Sequence, residues 1–124
     1  MRLRHLPRVL VPPLLAALAA APLRAATITV DDTGDSVAVD GKVTLREALT
    51  SIMNGSNVNG DVSASGTYGT SDAIHFAIGT GFQGIIPASA LPTITKPVTI
   101  DGTTQPGFSS SPLIQLQGTS AGAG

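Results

Sequence analysis

The apolar positions along this chain change period several times, and each period predicts an element. Ala26-Thr27-Ile28-Thr29-Val30 alternates, with Ile28 and Val30 on one face, as a half-buried strand does. Asp31-Asp32-Thr33-Gly34-Asp35-Ser36 ends it as a turn, and Val37–Val39 reads as a second short strand closed by Asp40-Gly41. From Leu45 the spacing becomes helical: Leu45, Ala48, Leu49 and Ile52 share a face. Thr44 and Glu47 stand three apart, the spacing of a capping box, and Asn54-Gly55 supplies a stop. A helix of about three turns is too short to be stable alone, so its apolar face must lie on something.

Residues 55–71 are polar, rich in Gly and Ser and without period, which predicts a surface loop. Alternation returns at Ala73–Ile78, with Ile74, Phe76 and Ile78 on one side and Ala73, His75 and Ala77 on the other. Ile85-Ile86, Thr93–Thr95, Val98–Asp101 and Leu113–Gln117 follow as short runs, with Pro87, Pro92 and Pro97 at their boundaries. The 22-residue interval from Ile78 to Ile100 fits one turn of a β-solenoid, a spacing that occurs once.

Composition supports a β-rich reading. Beyond residue 25 there are 26 large apolar side chains, and 16 of these are Val or Ile, which pack well on pleated surfaces. The 14 Gly and the many Ser and Thr fit a chain with frequent turns. There is no Cys, so the fold rests on backbone pairing and packing without disulfides.

Charge separates the chain into two objects. Residues 1–24 carry Arg2, Arg4, Arg8 and Arg24 and no acid, whereas residues 26–124 carry three basic against eight acidic side chains, a balance of −5. Met1–Arg8 is a basic region, Val9–Ala21 an apolar run of 13 residues, and Leu23-Arg24-Ala25 ends in a small residue. That order predicts a signal peptide over 1–25 and a protein that is secreted or held at the cell surface. The apolar run is shorter than a membrane span and is interrupted by Pro12-Pro13, so no membrane association is expected after cleavage. The acidic remainder argues against nucleic acid as a partner.

The order of motifs resembles a known family. Val43-Thr44-Leu45-Arg46-Glu47-Ala48-Leu49, followed by Asp72-Ala73-Ile74-His75-Phe76, Leu91-Pro92-Thr93-Ile94-Thr95 and Val98-Thr99-Ile100-Asp101-Gly102-Thr103-Thr104-Gln105-Pro106-Gly107, looks like the leading segment of bacterial surface proteins with the CSLREA motif. Val43 stands where that motif has Cys, and Thr44 where it has Ser. The resemblance implies an all-β fold, the start of a right-handed parallel β-helix with a short N-terminal capping α-helix. The expected division is a signal peptide at 1–25, strand and capping helix at 26–54, surface loop at 55–71, and first coils at 72–124. With only two such coils, the chain reads as the front of a longer protein.

Candidate chemistry was weighed position by position. Asp31, Asp32 and Asp35 are clustered oxygen donors, but Ser36 and Lys42 stand where a calcium loop needs Gly and Glu, so they are expected to serve the turn. Glu47 is the only Glu, and with Asp101 it is assigned to capping and turn roles rather than to a glycosidase pair. Arg46 is expected on the solvated surface, and His75 on an exposed or groove-lining face. No catalytic residue, metal ligand or cofactor site is assigned.

The functional expectation is an exported, non-catalytic surface module serving adhesion or structural display, with a surface polysaccharide or a host or matrix surface as partner through later coils. The alternative is the front of a secreted polysaccharide lyase or hydrolase with its active site beyond Gly124.

Overall fold

A computed structural model describes residues 24–69 and 71–122. The leader expected over 1–25 lies outside the described residues except for Arg24 and Ala25. Five strands and one helix follow in the order β1 (Thr27–Val30), α1 (Leu45–Asn54), β2 (Asp72–Phe76), β3 (Gln83–Ile85), β4 (Val98–Ile100) and β5 (Ile114–Leu116). Single 3-10 turns occupy Gly102–Thr104 and Gly118–Ser120.

The strands form two small parallel sheets, one of order β1-β2-β4 and one of β3-β5. In the first, Ile28 pairs with Ile74 and Ile74 with Ile100; in the second, Ile85 pairs with Leu116. This register keeps the Ile positions on one face, and a slip by one residue would turn all of them outward. Between the sheets and α1 lies a core that includes Ile28, Val30, Leu49, Ile52, Ile74, Phe76 and Ile85.

The expected all-β fold is therefore corrected. The described residues form a small mixed α/β domain with few strands of three to five residues, not the start of a β-helix. Two of the predicted strands are absent, for physical reasons that can be named. Val37–Val39 finds no ladder partner, and Val39 is 75% exposed. Thr93–Thr95 is bounded by Pro92 and Pro97, which lack N–H donors, and Ile94 faces solvent. The long connection from β1 to β2 is occupied by α1, as parallel neighbours require a crossover.

The helix begins where the capping spacing places it. Thr44 is the extended N-cap, its hydroxyl accepts from the Glu47 amide, and the Glu47 carboxylate accepts from the Thr44 amide at 2.9 Å. At the other end Gly55 adopts φ 69°, a left-handed turn that suits Gly, and its N–H caps the Ser51 and Ile52 carbonyls.

Residues 55–71 are not a free surface loop. Ser65 and Thr27 exchange two backbone hydrogen bonds (2.7 and 3.0 Å), and the Thr67 amide donates to the Arg24 carbonyl. Val62 is buried, and Val58, Ala64 and Tyr68 pack against the core. The segment covers the outer edge of β1, which would otherwise expose unpaired groups. Gly66 makes the approach possible: φ is 86°, and a β-carbon there would collide with the Arg24 and Ala25 carbonyls.

Candidate functional site

The N-terminus of α1 is a polar hub. Besides closing the capping box, Glu47 accepts from the Ala38 amide at 2.9 Å and from Asn59 Nδ2 at 2.7 Å, and the residue is 1% exposed. The Thr44 hydroxyl donates to the Ser36 carbonyl at 2.8 Å. One carboxylate thus ties the helix to the 36–40 turn and to the 55–71 segment. The cap was legible from spacing, whereas the links to Ala38 and Asn59 carry no sequence signal.

The three early aspartates go separate ways. Asp31 accepts from the Val43 amide at 2.7 Å, Asp32 from the Gly34 amide at 2.8 Å, and Asp35 turns toward α1. No group of three or more His, Cys, Asp or Glu among the described residues is placed to hold a metal ion.

Arg46 is not a solvated side chain, and here the expectation is corrected. Its Nε and Nη2 form a forked pair with the Asp35 oxygens (3.0 and 2.8 Å), and its Nη1 and Nη2 donate to the Ala90 and Ser89 carbonyls. Arg46 and Glu47, neighbours in sequence, leave the helix in different directions, so each bridges α1 to a different segment. Asp35 also accepts from the Ala88 amide at 2.9 Å.

Burial raises the Asp35 carboxyl, but the Arg46 hydrogen bond, the Ala88 amide and the Arg46 charge together hold it below the ordinary carboxylate value. A carboxyl lowered in the folded state stabilises the fold above its unfolded value and loses that contribution as pH falls through the folded one. Asp35→Asn is therefore expected to cost about 2 kcal/mol at pH 7, from charge-assisted hydrogen bonds that weaken. Urea melts of both proteins should show the gap closing between about pH 4 and pH 2. A gap that stays constant over that range would refute the assignment.

His75 is half-buried on the outward face of β2, with Thr29 its partner on β1. Asp101 follows β4 and donates its amide to the Ile74 carbonyl at 2.9 Å. Its carboxyl is lowered first by the Thr103 hydroxyl, then by the Thr103 amide, and less by the charge of His75. Asp101 thus caps the 3-10 turn, as a turn residue should, while Glu47 is held at the helix cap. The two carboxylates belong to separate elements with separate hydrogen-bond partners.

Two buried polar residues escaped sequence reasoning. Asp72 accepts from the Ala26 amide at 3.0 Å and the Gly69 amide at 3.2 Å. Gln105 lies beside the end of β2, where its Oε1 accepts from the Ile78 amide (2.9 Å) and its Nε2 donates to the Ile78 and Gly81 carbonyls (2.6 and 3.1 Å). Just before it, the Thr104 hydroxyl accepts from the Phe76 amide at 2.8 Å. Once β4 has ended, these two side chains take the place of a neighbouring strand. A flag was present in Asp101–Gln105, which reads as a turn but contains side chains able to mimic a backbone.

The remaining feature is an apolar cleft at the end of both sheets. One cavity of about 270 Å³ includes Phe108, Pro112 and Leu113 in its lining, and a second of about 240 Å³ includes Leu45, Phe76, Ile85, Ile100 and Leu116. They share Gly102 and Ile114. By register Ile100 and Leu116 point to the core side, yet they are 47% and 53% exposed because nothing stacks beyond β4 and β5. The cleft is lined by apolar groups and the hydroxyls of Thr103 and Ser110, a surface suited to apolar contact rather than to proton transfer.

The chain matches no protein-family model, no curated protein and no solved structure.

Proposed function

We propose that this chain is an exported, non-catalytic module of a bacterial surface that serves adhesion or structural display. The observation that carries the reading is the use of its polar side chains. Glu47, Asp35, Arg46, Asp72 and Gln105 all bind backbone groups of distant segments, giving rigidity to a chain without cysteine. The basic region, the apolar run Val9–Ala21 and the small residue Ala25 support export. The acidic remainder and the resemblance of the Val43–Leu49 segment to CSLREA-type surface proteins support a place at the cell surface. A surface polysaccharide or a matrix surface is the proposed partner.

Expression of the full chain in a bacterial host tests this. The product outside the cytoplasm is expected to begin at Ala26, and Leu15→Arg in the leader is expected to abolish its appearance. Retention on immobilised surface polysaccharides without shortening of those polymers is the second expected result. Full export of the Leu15→Arg variant, or depolymerisation by the purified chain, would overturn the reading.

A further inference from the structure

We infer that the open end of the two sheets is a self-association surface on which a second copy of this chain pairs through β4 about a two-fold axis at Thr99. Four inward-facing side chains at this end, Val98, Ile100, Ile114 and Leu116, have no layer beyond them, and the edges of β4 and β5 are unpaired. Unpaired edges beside exposed apolar side chains are a template for strand pairing.

Three observations select a second copy as the occupant. First, Val98-Thr99-Ile100 reads apolar-polar-apolar, a pattern that is its own complement when two such strands run antiparallel. With Thr99 on the axis, Val98 faces Ile100 of the other copy, inward on both sides, and the polar faces stay outward. Ile114-Gln115-Leu116 across the cleft has the same symmetry. Second, Lys96 and Asp101 flank β4 with opposite charges, so this pairing brings Lys96 of one copy toward Asp101 of the other rather than like toward like. Third, the outer edge of β1 is already taken by Ser65 and Thr67. Stacking of β4 on β1 of another copy is therefore blocked, and the β4 contact closes at two chains.

Opposite residues of an antiparallel pair have Cα atoms about 4.5–5.5 Å apart, within the span of a disulfide. The chain has no native cysteine, so Thr99→Cys in the full chain reports the axis directly. Under mild oxidation Thr99→Cys is expected to form a covalent dimer rapidly, while Val39→Cys, on the 36–40 turn, is not. Sedimentation of the unsubstituted chain is expected to show dimers, and Ile100→Lys to weaken dimerisation at least about tenfold by placing a charge on the inward edge. Circular dichroism checks that the variants are folded. Equal cross-linking at positions 99 and 39, or a series of growing oligomers, would overturn the inference. So would a chain that stays monomeric while Thr99→Cys fails to cross-link. These outcomes do not depend on whether the chain is exported or binds a polysaccharide.

Discussion

Replacing Glu47 with Ala is expected to lower stability by about 4 kcal/mol, enough to remove most of the margin of a small domain. The substitution deprives the Thr44 and Ala38 amides and Asn59 Nδ2 of their acceptor in a region closed to water. Each orphaned buried donor costs about 1–3 kcal/mol, and the lost cap about 1 more, although the terms overlap and do not add fully. For a domain near 100 residues this corresponds to a fall in Tm of about 20 °C. Glu47→Gln keeps one acceptor oxygen but turns an NH2 toward at least one donor, so it should fall between the two. Urea denaturation followed by far-ultraviolet circular dichroism measures both. A loss under about 1 kcal/mol for Glu47→Ala would show that the hub does not hold the fold.

The second large effect is expected at Gln105, and its signature is pH dependence. Gln105→Ala removes an acceptor from the Ile78 amide and a donor from the Ile78 and Gly81 carbonyls, at a cost of about 3 kcal/mol that should not vary between pH 5 and pH 8. Gln105→Glu keeps the shape but points a carboxylate at those two carbonyls. Burial and the facing oxygens raise the pKa of such a group in the folded state above its unfolded value of about 4.3. An acid raised on folding destabilises at high pH, where the unfolded state ionises more readily, and the penalty shrinks as pH falls toward the unfolded value. Gln105→Glu should therefore be at least as damaging as Gln105→Ala at pH 8 and less so at pH 5. Melts at the two pH values decide this. A Gln105→Glu penalty independent of pH would mean that the side chain has left the site.

Local signals in the sequence were reliable where one element supplied all the participants. Thr44, Glu47 and Gly55 mark both ends of α1 because a cap is made within a few residues of itself. Ile74, Phe76 and Ile78 are buried, as their alternation requires, because a strand half-buried in a sheet has only two faces. The expected division at 55–71 failed for the opposite reason. Val62 and Ser65 have no periodic company, and only the free edge of β1, some forty residues earlier, explains why they fold inward.

The sites followed the same rule. The turn role of Asp31 and Asp32 was readable, since turn carboxylates answer amides close in sequence or across one hairpin-like return. Arg46 was misread because its partners, Asp35 and the Ser89 and Ala90 carbonyls, are 11 to 44 positions away. Gln105 was invisible as a core residue because a polar amide scores as exposed until a strand end with unpaired groups is set beside it.

The sequence by itself determined a charged and apolar leader pattern, a capped three-turn helix, a disulfide-free chain and the inward faces of its strands. These follow from short-range sterics, hydrogen bonding within one element and the period of apolar positions. The tertiary structure decided the rest: two small parallel sheets instead of a β-helix, the links from Glu47 and Arg46 to distant segments, and the side-chain continuation of β2 by Thr104 and Gln105. It also decided that one sheet edge is covered while β4 and β5 are left open. Those outcomes depend on which unpaired backbone groups meet after the chain has turned back on itself, and that juxtaposition is a property of three-dimensional closure rather than of spacing.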